Sequence, residues 1–145
     1  MFSEYGQERF SGRIAAAIVR ARNLGRIKTA KQLAEIIAKA VPRRPYRLHP
    51  ATRVFQAIRI QVNHELENIR LALPQAVGLL APRGRVVAVS YHSLEDRIVK
   101  QAFRDFSRQG IAKLITVKPV VPNRTEIAAN PSSRSAKLRC LEKII

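Results

Sequence analysis

The chain has 145 residues, one domain's worth of sequence and enough to bury a hydrophobic core. Its 27 Lys and Arg, mostly arginine, stand against 10 Asp and Glu and give a formal charge of +17, which points to a polyanionic partner: nucleic acid first, then an anionic membrane surface or an acidic protein. An apolar content of 46% excludes a disordered basic tail, the single cysteine Cys140 excludes an internal disulfide or a cysteine-based zinc site, and no apolar run has the length of a membrane span or the pattern of a signal peptide, so the expected address is cytoplasmic.

Residues 4–24 read as a helix, with Phe10, Ile14, Ala17, Ile18 and Ala21 on one apolar stripe and Arg9, Arg13 and Arg20 beside it, facing solvent or phosphate. Gly25 is a stop signal. The run Thr29-Ala-Lys-Gln32 has the form of a capping box and opens a second helix, with Leu33, Ile36, Ile37 and Ala40 inward, that Pro42 ends. The stiff basic stretch 42–50, PRRPYRLHP, follows. There Arg43, Arg44, Tyr46, Arg47 and His49 are candidates for RNA contact, the arginines gripping phosphates and the tyrosine stacking on a splayed base; a solvated loop is the plainer reading. Pro50 starts a long helix over 51–73 with Val54, Phe55, Ile58, Val62, Leu66, Ile69 and Leu73 on one face; Ile60 and Leu71 lie off it, and Pro74 breaks or kinks it. Arg53 and Arg59 extend the basic surface, although Arg53 serves equally to cover the first turn of that helix.

At Arg83 the character changes. RVVAVS, residues 85–90, is β-branched and nearly uninterrupted, the pattern of a strand covered on both faces. Residues 94–107 form a helix that buries Ile98, Val99, Ala102, Phe103 and Phe106, and 114–121 and 136–145 are two further strands, separated by a polar loop over 123–135. Asn130, Arg134, Ser135 and Lys137 form a second basic polar group at the end of that loop and the start of the last strand, and a turn role for Asn130-Pro131 has the same weight as RNA contact. His64 reads as an ordinary helix residue and Cys140 as core.

The polar knot SYHSLEDRIVK, Ser90 to Lys100, lies at the carboxyl end of the first strand, where open α/β sheets place ligand sites. His92, Ser93, Glu95 and Asp96 are its candidate substrate-pocket groups. The bland reading has equal weight: Ser93 caps the helix while Glu95 and Asp96 sit near its positive end. A Ser93–His92 catalytic pair is excluded by strand alternation, which points adjacent side chains to opposite faces. A DNA-binding helix-turn-helix is suggested only by TAKQLAEIIAKAV, and the prolines at 42 and 45 deny it a recognition helix.

Three motifs in order, HPATRVFQAIRIQVNHELENI (49–69), SYHSLEDRIVK (90–100) and NPSSRSAKLR (130–139), resemble the MraW/RsmH family of S-adenosylmethionine-dependent methyltransferases acting on cytosine of small-subunit ribosomal RNA. The resemblance runs from about Glu4 to the last residues. It implies an α/β fold: the C-terminal part of a class I (Rossmann-like) methyltransferase sheet, residues 63–145, with an inserted all-helical substrate domain, residues 1–62. It implies N(4)-methylation of a cytidine in the decoding region of 16S rRNA, with the small ribosomal subunit as partner and neither membrane nor DNA. The RNA-binding set would be Arg9, Arg13, Arg43, Arg44, Tyr46, Arg47, His49, Arg53, Arg134 and Lys137.

The glycines Gly6, Gly12, Gly25, Gly78, Gly84 and Gly110 are isolated and form no Gly-rich turn, so S-adenosylmethionine has no motif here, and no residue is assigned to cofactor or metal binding. The chain is thus expected to be the carboxyl-terminal part of such an enzyme, needing a companion N-terminal fragment or forming a homodimer, since strand 85–90 would otherwise expose an unpaired edge. A non-catalytic basic RNA- or ribosome-binding remnant is the rival reading.

Overall fold

The computed structural model describes residues 1–42 and 49–144, so the contact candidates Arg43, Arg44, Tyr46 and Arg47 lie outside the described residues. The described residues fall into two compact units, Met1–Glu65 and a second from Leu66 onward.

The first unit is helical. Helix α1 spans Ser11–Leu24, α2 Ala30–Ala40 and α3 Thr52–Val62. The expected start of α1 at residue 4 is corrected to Ser11. Gln7 takes φ +48°, and a Cβ on Gly6 would stand 2.7 Å from the carbonyl oxygens of both Phe2 and Arg53. The chain therefore turns tightly there, with glycine as the only residue that fits. The capping box of α2 forms as read: Thr29 Oγ1 accepts from the Gln32 amide at 3.1 Å, and Gln32 Oε1 accepts from the Thr29 amide at 3.2 Å. Ile14, Ile37, Val41, Ala51 and Val54 make the core of this unit, with Phe10, Ile18, Leu33 and Phe55 packed around it.

The long helix expected over 51–73 is two helices. It breaks at Asn63–His64, where His64 adopts φ +53°, and α4 (Glu65–Leu79) then runs through Pro74 without ending. Around the break, Glu65 accepts from Arg59 at 2.7 and 3.1 Å and from Asn63 Nδ2 at 3.3 Å. These bonds hold a turn that a left-handed non-glycine residue would not choose alone.

The second unit is α/β. Strands β1 (Arg85–Ser90), β2 (Ala112–Leu114) and β3 (Lys137–Lys143) form one antiparallel sheet in the order β1-β3-β2, and helix α5 (Ser93–Arg108) connects β1 to β2. Leu73 and Val77 of α4, Val99 and Phe103 of α5, Ala112 of β2 and Leu141 of β3 form its core.

The strand expected over 114–121 is replaced by a three-residue strand just ahead of it, Ala112–Leu114, sharing only Leu114 with that range. The amides of Ile115 and Thr116 both donate to the Cys140 carbonyl, and the segment rejoins the sheet only at the Val120–Leu138 bridge. Pro119 and Pro122 lack the amides a longer ladder would need. The loop expected over 123–135 contains helix α6 (Arg124–Ala129) and a 3-10 helix, Pro131–Ser135. Asn123 Oδ1 caps the first by accepting from the Glu126 amide at 2.8 Å, and Asn130 Oδ1 caps the second by accepting from Ser132 at 3.2 Å.

β1 also departs from its reading as a strand covered on both faces. Val86, Ala88 and Ser90 turn toward the core, whereas Val87 and Val89 are 56% and 50% exposed. The cause is one-sided packing: α4 and α5 build the core against the face that carries Val86 and Ala88, and Val87 and Val89 are not part of that core.

Candidate functional site

Ser90, the last residue of β1, pairs in register with Lys137, the first residue of β3, so the motifs 90–100 and 130–139 meet at one end of the sheet. The turn out of β1 is built by reciprocal capping, and its agent is His92, not Ser93. His92 Nδ1 accepts from the Glu95 amide at 3.3 Å, while Glu95 Oε2 accepts from the amides of Tyr91 at 2.8 Å and His92 at 3.2 Å. With Nδ1 acting as acceptor, a neutral His92 ring carries its proton on Nε2, which lies 3.3 Å from Glu95 Oε1.

Asp96 is drawn inward rather than left at the helix mouth. Arg139 grips it with two parallel bonds, Nε to Oδ1 at 2.7 Å and Nη2 to Oδ2 at 3.2 Å, and Lys137 Nζ stands 3.5 Å from Oδ2. The Asp96 and Arg139 side chains are 12% and 7% exposed. The Arg139 hydrogen bonds, helped by the charges of Arg139 and Lys137, hold the Asp96 carboxyl below the usual carboxylate range against the opposing effect of burial. Asp96 already takes two short bonds from Arg139, which leaves the half-exposed Lys137 ammonium as the surplus charge of the trio.

His92, Glu95, Asp96 and Lys137 are thus gathered at the carboxyl end of β1, with Ser93 on the first turn of α5 and Arg134 exposed on the 3-10 helix leading into β3. The candidates of the first unit are spread over its surface. Arg13 is exposed on α1, and Arg9 lies over the Phe10 ring at 5.8 Å. Arg53 Nη1 donates to the Gln7 carbonyl at 3.2 Å, bracing the tight amino-terminal turn, and His49 Nδ1 accepts from the Ala51 amide at 3.1 Å. Sequence reading missed Arg139. The available signal was an arginine inside an apolar strand, which must find a carboxylate partner to be buried.

An S-adenosyl cofactor finds no cradle among these residues. None of the six glycines lies in a turn from a strand into a helix, and the β1-to-α5 turn is filled by the His92–Glu95 cap. Among the described residues, no helix is long and apolar enough to cross a membrane.

The second unit is an α/β sheet domain with ionisable groups gathered at a strand end, the architecture of a ligand-handling α/β protein. The chain matches the model of the MraW methylase family over residues 1–144 and belongs to that family. It is 50% identical to the ribosomal RNA small subunit methyltransferase H of Nitrosococcus oceani over 96% of this chain and 49% of the relative. The proteins of the same name from Leptospira interrogans (48% identity, 99% of this chain, 43% of the relative) and Persephonella marina (47%, 99% and 50%) are similarly close. The chain spans about half the length of the curated relatives it matches.

Proposed function

We propose that this chain is the RNA-facing and sheet-closing part of an rRNA methyltransferase that transfers a methyl group from S-adenosylmethionine to N(4) of a cytidine in the decoding region of 16S rRNA, in the cytoplasm. Residues 1–62 act as the helical RNA-binding domain and residues 63–145 close a class I methyltransferase sheet into which that domain is inserted. The remaining strands add at the free edge of β1. The groups that hold the cofactor lie outside these residues, on a companion N-terminal segment.

The observation that carries this reading is the meeting of two family motifs through the Asp96–Arg139 pair, in a chain about half identical to named rRNA methyltransferases along nearly its whole length. Here the chain's own residues bind and position: the basic side chains hold phosphates, and the capped turn at His92 and Glu95 fixes the polar groups that face the base.

The test is transfer of labelled methyl from S-adenosylmethionine to small ribosomal subunits lacking the modification, by the chain alone and mixed with the amino-terminal half of a relative. Transfer by the mixture, with N(4)-methylcytidine identified by mass spectrometry, is the expected result. A mixture that assembles and binds cofactor yet transfers nothing defeats the proposal. The glycine positions favour one second reading, a non-catalytic RNA- or ribosome-binding protein, which predicts subunit binding with no gain from the added half.

A further inference from the structure

On the helical side of the second unit, α4 and α5 enclose an open concavity of about 370 Å³, lined by Arg70, Arg97, Ile98, Gln101, Ala102 and Asp105. It is distinct from the strand-end site. Arg97, Gln101 and Asp105 recur at every fourth position of α5 and so form one stripe, roughly 12 Å from first to last. Arg70 reaches the same concavity from α4. Among the described residues neither Arg70 nor Arg97 has a hydrogen-bond or ion-pair partner, whereas Asp105 at the other end is occupied: Gln101 Nε2 donates to both its oxygens at 2.9 and 3.1 Å, and Arg108 lies 3.5 Å away. Donating that amine to Asp105 leaves the Gln101 carbonyl as an acceptor.

The groove therefore runs from two unpartnered guanidinium groups, over an apolar floor of Ile98 and Ala102, to a pair of acceptors. A phosphate suits the first end, a flat ring the floor, and an exocyclic amine the far end. The volume falls in the range that small-molecule sites occupy. We infer that this groove is a nucleotide subsite, Arg70 and Arg97 taking the phosphate and the base lying over Ile98 and Ala102 toward Gln101 and Asp105. With a chain charge of +17, the source of the nucleotide is a single-stranded stretch of RNA, so the inference rests on the RNA-binding part of the proposed function.

The test compares the intact chain with Arg70→Gln/Arg97→Gln and with a charge-matched control, Arg104→Gln/Lys118→Gln, whose residues are exposed and outside the groove. Affinity for a nine-nucleotide single-stranded RNA is read by fluorescence anisotropy, and cytidine 5′-monophosphate, cytidine and inorganic phosphate are titrated by calorimetry. The groove variant should lose at least tenfold in RNA affinity and the control no more than about threefold, both with unchanged melting midpoints. The monophosphate should bind more tightly than cytidine or phosphate alone. Equal losses in the two variants overturn the subsite. A chain that binds no RNA defeats the RNA reading separately; monophosphate binding that Arg70→Gln/Arg97→Gln abolishes would then assign the groove to free nucleotides, and its absence would remove the subsite as well.

Discussion

Asp96 is the residue on which two distant segments depend. Removing it as Asp96→Ala leaves the Arg139 guanidinium buried without its counter-charge, which costs about 3–5 kcal/mol and reads directly in urea denaturation. Replacing both partners by apolar residues, Asp96→Leu with Arg139→Met, should recover most of that loss. The same pair makes stability depend on acid. Because folding lowers the Asp96 pKa from the ordinary 3.8, its contribution is fully present above about pH 5 and is lost as the pH falls through 3.8 toward the lowered folded value. Asp96→Asn should therefore flatten the stability curve between pH 5 and 3 while lowering its plateau; an unchanged acid limb would remove Asp96 from that role. From the sequence, Asp96 was legible as a substrate-pocket candidate or a helix-start residue but not as half of an ion pair, since its partner is 43 positions away and local spacing carries no trace of it. The cap was read at Ser93 for a related reason. Serine is the commoner cap, and nothing in the letters shows that an imidazole nitrogen, supported by Glu95, takes the amide instead.

At the level of elements, what is local was legible and what is imposed from elsewhere was not. The α2 capping box, the strand 85–90 and the buried face of α5 follow from spacing within a dozen residues. The break at His64 and the late start of α1 do not, because one is held by an ion pair across the turn and the other by close approach of Gly6 to α3. Gly6→Ala puts a methyl 2.7 Å from two carbonyl oxygens and should destabilise the first unit by about 1–3 kcal/mol, measured as a shift in its melting midpoint. The exposed side of β1 provides a second expectation. An unpaired edge beside bare Val87 and Val89 is a template for another strand, so the isolated chain should associate as its concentration rises. Val87→Lys with Val89→Lys should abolish that association in light scattering with little change in melting, because neither side chain is in the core. A chain that stays monomeric at high concentration counts against edge pairing.

Across the whole molecule the loudest bulk property is charge, and it makes RNA affinity a function of salt. If about five phosphates are neutralised, log K should fall with log salt at a slope near −3.5 for single-stranded RNA. A slope near zero would show that the excess of arginine does not face nucleic acid. Composition announced a basic, folded, polyanion-seeking chain, and the motifs announced its family; how its charges are paired came only from the fold. The same fold turns the one thiol into a clock. Cys140 lies buried on the central strand, its amide tied to the Thr116 hydroxyl at 2.8 Å, and no other sulfhydryl competes for a reagent. Labelling waits on a local opening that uncovers β3, so the rate at which a thiol reagent colours the solution counts how often this part of the sheet comes open, and a partner that covers it will be seen as a slowing of that count.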